Sequence, residues 1–163
     1  MSTVLIDDYI KQLREIQNER LWMGQNFTQK LSGISEEEAF TTPHNQLHSI
    51  AELIAHLTVW RTETLDKLKT GTGNLTDDMD VNWRSNAVLK KYGWDTIWDD
   101  YQKSGEALTN YLETKTDSFL EETYYDPDFK GTYPYRFVVQ GMIHHDIYHL
   151  GQIGLVIKFM KKA

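Results

Sequence analysis

The sequence has 163 residues, 40% of them hydrophobic, which is typical of one globular domain that is large enough to bury a core. Its net charge of −7, without a Lys/Arg stripe, argues against nucleic acid and anionic membranes as partners. Cysteine is absent, which excludes disulfides, thiolate nucleophiles and cysteine-based zinc sites, so any metal must be held by His, Asp or Glu.

The N-terminal segment MSTVLIDDYI lacks the basic and apolar pattern of a secretion signal. No apolar run approaches the ~20 residues that a membrane span needs. The lack of cysteine also suits a reducing compartment. We therefore expect a cytoplasmic protein.

The first predicted helix runs from Val4 to Leu31 and ends at Ser32-Gly33, where glycine occupies a C-cap position. Residues 35–38 then form a Ser-x-x-Glu capping box, but Pro43 follows so soon that only a short connecting helix is expected. The apolar residues that recur at helical spacing in the first helix are Tyr9, Leu13, Ile16, Met23 and Phe27.

A second capping box, Ser49 to Glu52, opens a helix that is predicted to run to about Thr70. His56 lies at the border of its apolar face, where a lone histidine is more often a structural residue than a ligand. Glu52, one turn earlier, is either a partner that orients His56 or only the capping residue, and capping already explains it. His44 and His48 precede this helix in a polar run and are expected to be solvated.

The connection from Gly71 to Gly93 is long for a compact domain and is rich in polar residues, which favours a lid or a pocket wall. It contains an Asp78-x-Asp80-x-Asn82 run that begins like an EF-hand loop. Trp83 stands where that loop needs glycine and Leu89 where it needs glutamate, so calcium is not supported.

Two more helices are predicted, from Trp94 to Lys115 and from Tyr135 to Lys161, with a polar turn region at 117–133 between them. Gly105, in the middle of the third helix, indicates close contact with another helix. No strand pair is predicted. Four long amphipathic helices make an all-α four-helix bundle with long connections the economical fold.

The last helix carries His145 and His149 one turn apart on one face, which is the spacing of two ligands to one metal ion. The same face also carries apolar residues, so the two imidazoles point inward and need partners. A catalytic zinc-type site normally has three protein ligands, so a third must come from elsewhere in the chain.

Two segments resemble a known family. The segment S-I-A-E-L-I-A-H-L-x-x-W, from Ser49 to Trp60, and the segment H-D-x-Y-H-x-G-Q, from His145 to Gln152, are similar to those of the DinB-like metal-binding four-helix bundles. That family includes bacillithiol S-transferases and mycothiol-dependent maleylpyruvate isomerases. The resemblance extends from about Tyr9 to Lys158, although its specific motifs occupy only the second and fourth helices.

The resemblance implies a single bundle domain over residues 1–163 in which one divalent ion, zinc or nickel first, is held by His56, His145 and His149. It also implies up-down-down-up topology, which explains the long connections. A homodimer and a small-molecule substrate are further expectations. The family name reflects damage-inducible expression and not DNA binding.

Three neutral imidazoles leave the full charge of a divalent ion available to a bound thiol or water. The reading that the family implies is a metal-dependent S-transferase, in which a low-molecular-weight thiol is the co-substrate and attacks an electrophile. The alternatives are a hydrolase that uses hydroxide generated at the ion, and a metal-stabilised bundle without catalysis. No catalytic base is evident.

The neighbours of the three histidines are assigned by helix geometry. Gln152, one turn beyond His149, is the better candidate to orient a ligand or line the pocket, together with Trp60 and Glu52 on the second helix. Asp146 lies about 100° around the helix from His145 and is expected to face outward or toward another subunit.

Overall fold

The structure, a computed structural model, describes residues 2–44 and 47–161. In chain order its helices are α1 (Val4–Gln17), α2 (Phe27–Leu31), α3 (Glu36–Ala39), α4 (Ile50–Thr70), α5 (Asn86–Leu89), α6 (Trp94–Glu113) and α7 (Tyr135–Met160). A 3-10 helix (Asp117–Glu121) and an antiparallel hairpin of β1 (Thr123–Asp126) and β2 (Gly131–Pro134) separate α6 from α7. The four long helices, α1, α4, α6 and α7, form the bundle.

Contacts between the long helices define their directions. Amides at the start of α1 donate to Asp117, just beyond the end of α6, so α1 and α6 are antiparallel. Arg61 contacts the carbonyl oxygen of Tyr101, and further along both helices the Tyr111 hydroxyl donates to the carbonyl oxygen of Leu68. Helices α4 and α6 are therefore parallel.

The last helix runs against α4. Thr64 of α4 contacts Met142 of α7, whereas Arg61, earlier on α4, contacts Asp146, later on α7. Helix α1 packs on α6 and α7, and α4 packs on the same two helices. The topology is thus up-down-down-up, as the family resemblance implied, and the fold is mainly all-α.

One guanidinium group connects all four bundle helices. Arg61 of α4 donates to Asp146 of α7 at 2.6 Å and to Gln17 of α1 at 2.6 Å, and it lies 4.0 Å from the ring centre of Tyr101 of α6. Gly105 makes room for this contact, since a Cβ there would lie 2.6 Å from Arg61 Nη1. The expectation that Asp146 faces outward is wrong, because its side chain is fully buried in this pair.

The single first helix predicted from Val4 to Leu31 is also wrong, because α1 ends at Gln17 and α2 begins only ten residues later. Between them Gly24 has a φ of +108°, and Asn26 forms a capping box with Gln29 that starts the new helix. Met23, one of the apolar residues at helical spacing on which that single helix was predicted, is 53% exposed. The turn at Gly24 and the capping of a new helix by Asn26 therefore interrupt the helix that the spacing of apolar residues predicted.

The other helix predictions are confirmed to within two residues. Ser49 caps α4 through the predicted box with Glu52, and Gly71 ends that helix in a left-handed conformation. Helix α3 begins at the first predicted box, and α6 and α7 begin at the predicted residues. Within the described ranges, no helix is long and apolar enough to cross a membrane.

The hairpin was not predicted from the sequence. Each strand has only four residues, too few to show an alternating pattern. Tertiary contacts hold it: Tyr124 is buried in the core, and Tyr125 exchanges backbone hydrogen bonds with Gly71 and Gly73. The hairpin thereby closes one end of the space between α4 and α7.

Candidate metal centre

Antiparallel packing of α4 on α7 brings His56 opposite the predicted pair His145 and His149. The Nε2 atom of His145 lies 3.0 Å from the Nε2 atoms of both other rings. His56 and His149 are buried and His145 is partly buried. The structure therefore brings together the three histidines that the resemblance implied as ligands.

Two of these rings are oriented through their other nitrogen. His56 Nδ1 lies 3.1 Å from the carbonyl oxygen of Asn82, and His149 Nδ1 lies 2.6 Å from Oε1 of Gln152. A carbonyl or amide oxygen only accepts, so both Nδ1 atoms carry the proton and both Nε2 atoms present a lone pair. The predicted orienting position of Gln152 matches this contact with His149.

The arrangement of lone pairs suits a cation. His145 Nε2 faces two lone pairs at 3.0 Å, and a single proton on it can satisfy only one of them. Within the described ranges, these three histidines form a group of side chains that could hold a metal ion, because their donor atoms all lie within 4.8 Å of one another. Imidazole donors suit zinc, nickel, copper and iron.

Electrostatics keep the three rings neutral. Burial first, and then the neighbouring imidazoles of His149 and His56, together lower the pKa of His145 to about 3. Burial likewise lowers the pKa of His149, to about 4, and it also lowers the pKa of His56. Neutral imidazoles are the form that binds a metal ion.

An aromatic wall covers the cluster on the side of the 71–93 connection. The ring of Trp83 stacks on His56 at 3.8 Å between centres, and His48 stacks on the other face of Trp83 at 3.9 Å. Trp60 lies edge-on to His56 and donates its indole N–H to Asn82. The 71–93 connection thus forms a wall beside the cluster, which is one of the two roles expected for it. His48 is exposed, as expected, and in addition stacks on Trp83.

The cluster lies at the edge of a cavity of about 590 Å³ between α4, α7, the 71–93 connection and the hairpin. This volume lies in the range of small-molecule sites. Most of the lining is apolar or aromatic, and the predicted pocket candidate Trp60 is part of it. The apolar and aromatic lining includes Trp60, Trp83, Tyr124, Phe129, Phe137 and Met142.

Glu52 does not orient His56. Its carboxylate accepts from the backbone amides of Ser49 and Asn86, so it caps α4 and fixes the start of α5. The carbonyl oxygen of Asn82 takes the place beside His56 instead. A backbone carbonyl carries no sequence signal, which is why this contact could not be predicted.

Other residues near the cluster were missed by sequence reasoning. Asn82 and Trp83 fell in the predicted pocket wall without any assigned role, and Lys67 was not considered. Trp60 and Lys67 follow His56 by four and eleven positions, so all three residues lie on one face of α4. This helical spacing was a signal from which Lys67 could have been found.

Together these features define a class: a helical bundle whose second and fourth long helices present three convergent imidazoles to an apolar cavity. The chain belongs to the DinB superfamily, whose sequence profile matches residues 18–153. No curated protein sequence matches the chain closely enough to count as a relative.

Two solved structures from Bacillus subtilis share the fold. YfiT, described as "a probable metal-dependent hydrolase with an unusual four-helix bundle topology", is 15% identical, with a TM-score of 0.70 over 99% of this chain and 90% of its own. The DinB-like protein YjoA is 17% identical, with a TM-score of 0.64 over 96% of this chain and 92% of its own. At these identities the similarity demonstrates the fold alone.

Proposed function

We propose that the protein is a divalent-metal-dependent enzyme that acts on a small, mostly apolar electrophile. The ligands are His56, His145 and His149. The observation that carries the proposal is the convergence of three Nε2 atoms, two of them fixed as lone-pair donors by Asn82 and Gln152. Zinc or nickel is the expected ion.

The chain's own residues prepare the site for catalysis. A divalent ion held by three neutral imidazoles lowers the pKa of a thiol or water that it binds. Asn82 and Gln152 fix the ring orientations of His56 and His149, and the rings of Trp60 and Trp83 exclude water from one side. The apolar cavity beside the cluster receives the substrate.

The first candidate reaction is thiol S-transfer, in which a low-molecular-weight thiol attacks the electrophile. The resemblance to bacillithiol- and mycothiol-dependent enzymes supports it. The second candidate is metal-dependent hydrolysis, which is supported by the charges of the cavity. Among the described residues, the carboxylates of Asp77, Asp126 and Asp128 line it, and Lys67 is the one lysine in the lining. Such a lining disfavours thiols that carry several carboxylates. The description of YfiT points the same way.

Metal binding is tested by elemental analysis of protein purified without chelator. We expect about one ion per chain in the wild type and none above background in the His145→Ala/His149→Ala double variant. His144→Ala is the matched control, since this exposed neighbour lies outside the cluster and should leave metal content unchanged. Equal metal content in the wild type and the double variant would end the proposal.

The reaction class is tested with metal-loaded protein and two generic substrates. Turnover of 1-chloro-2,4-dinitrobenzene only in the presence of an added thiol supports the transferase. Thiol-independent cleavage of p-nitrophenyl acetate that the double variant lacks supports the hydrolase. Metal-loaded protein that turns over neither these nor a broad panel of electrophiles and esters would favour a metal-stabilised bundle without catalysis. The homodimer stays a prediction, to be checked by light scattering.

A further inference from the structure

The cavity beside the histidine cluster is elongated and has a second polar end. His56, Trp60, Thr64 and Lys67 follow one another along a single face of α4, and all four line the cavity. Lys67 lies eleven positions after His56, which corresponds to about 16 Å along a helix. The cavity therefore has imidazoles at one end and a lysine ammonium at the other.

Lys67 is buried, and its hydrogen-bonding capacity is not used up. Only 3% of its side chain is exposed, and Nζ donates to Oδ2 of Asp126 at 2.8 Å. Glu63 lies 3.8 Å away, beyond hydrogen-bond distance. An ammonium has three N–H donors, so two have no oxygen or nitrogen acceptor among the described residues. Buried donors without an acceptor are costly, and a ligand in the cavity can supply one.

Neighbouring groups fix Lys67 in one position. A Cβ on Gly73 would lie 2.5 Å from Cε of Lys67, so the backbone of the 71–93 connection packs directly on its side chain. The rings of Trp60 and Tyr124 flank Nζ at 5.5 and 5.6 Å from their centres, within range of a cation–π contact. A preorganised ammonium of this kind binds a ligand group at low entropic cost.

The surrounding charges determine what kind of group fits. The carboxylates of Asp126 and Glu63 already flank the ammonium, and Asp77 and Asp128 line the same cavity. A ligand carboxylate would add negative charge to this end, where two carboxylates already lie beside the ammonium of Lys67. A neutral oxygen acceptor uses the free N–H groups without that repulsion.

We propose that Lys67 binds an uncharged carbonyl oxygen, of a ketone or an amide, on a substrate whose apolar body fills the cavity toward the histidine cluster. This proposal rests on the proposed function in one respect, namely that the end of the substrate near the histidine cluster is the end that reacts. Recognition at Lys67 itself does not involve the metal.

The test is a fluorescence titration with prodan, a neutral naphthyl ketone whose emission moves to the red when its carbonyl accepts a hydrogen bond. We expect Lys67→Met to weaken binding about tenfold or more, the effect of losing a hydrogen bond from a charged group, and to shift the bound emission to the blue. Lys69→Met, an exposed lysine on the same helix, should change neither quantity.

The Lys67→Met/Asp126→Asn variant controls for the unpaired carboxylate that the single substitution leaves behind. We expect it to bind prodan as weakly as Lys67→Met. Recovery of wild-type affinity in the double variant, or unchanged affinity and emission in Lys67→Met, would overturn the proposal. So would tighter binding of the anionic probe 6-anilinonaphthalene-2-sulfonate than of prodan, because that would mean that the site selects a negative charge.

The titration is carried out on protein with and without prior chelator treatment, and the Lys67 effect should be the same in both. Its outcome is therefore separable from that of the metal analysis. If Lys67→Met leaves prodan binding unchanged while the metal content is normal, only the proposed recognition at Lys67 is overturned. If the protein binds no metal but Lys67→Met still weakens prodan binding, the proposed metal enzyme is overturned and the carbonyl-binding site is retained.

Discussion

Replacing Asp146 with alanine removes the only carboxylate that faces the Arg61 guanidinium among its described contacts. Both side chains are buried, with 1% and 0% exposed, and their shortest contact is 2.6 Å. Breaking such a pair leaves a buried charge without compensation, which costs about 3–5 kcal/mol. We expect Asp146→Ala to lower the free energy of unfolding by that amount in urea denaturation followed by circular dichroism.

The exposed ion pair between Arg14 of α1 and Glu113 of α6 is the matched control. Its contact is 2.5 Å, but the side chains are 40% and 48% exposed. Glu113→Ala should therefore cost less than about 1 kcal/mol. In a double-mutant cycle with Arg61→Met, we expect a coupling of at least about 2 kcal/mol. A cost of Asp146→Ala equal to that of Glu113→Ala would refute the reasoning.

Three more predictions concern the helix contact and the cluster. Gly105→Ala should destabilise the bundle by about 1–3 kcal/mol, since its Cβ would lie 2.0 Å from Oε1 of Gln17. Gln152→Leu removes the acceptor from His149 and should weaken metal affinity about tenfold or more in chelator competition. Metal-free protein should lose stability as the pH falls from about 6.5 toward 4. The reason is that the pKa of His149, about 4, and that of His145, about 3, lie below the pKa of histidine in unfolded chains. Protonation of His149 alone should lower the free energy of unfolding by about 3 kcal/mol.

Each of these predictions has a contrasting measurement. Gly151→Ala, in a helix with open space around the glycine, should stabilise the protein by up to about 1 kcal/mol, and equal effects at the two glycines would contradict the steric argument. Unchanged metal affinity in Gln152→Leu would mean that the amide does not orient the ligand. The His145→Ala/His149→Ala variant should show a smaller loss of stability with falling pH, and an equal loss would place the titrating groups elsewhere.

The sequence by itself determined the features that depend on neighbours along the chain. The capping box from Ser49 to Glu52 and the spacing of apolar residues located α4, α6 and α7, because helices are defined by contacts three and four residues apart. The His145–His149 pair was visible for the same reason. Joining it to His56, however, required the family resemblance, since spacing does not reveal which distant residue completes a cluster.

Tertiary structure decided what depends on residues far apart in the chain. Asp146 was expected outside, yet it is buried, because α4 places Arg61 opposite it. The hairpin forms because the core takes up Tyr124 and the 71–93 connection bonds to its edge. The carbonyl of Asn82 and the free donors of Lys67 likewise have meaning only once helices and connections meet, since hydrogen bonds and buried charges are satisfied in space and not along the sequence.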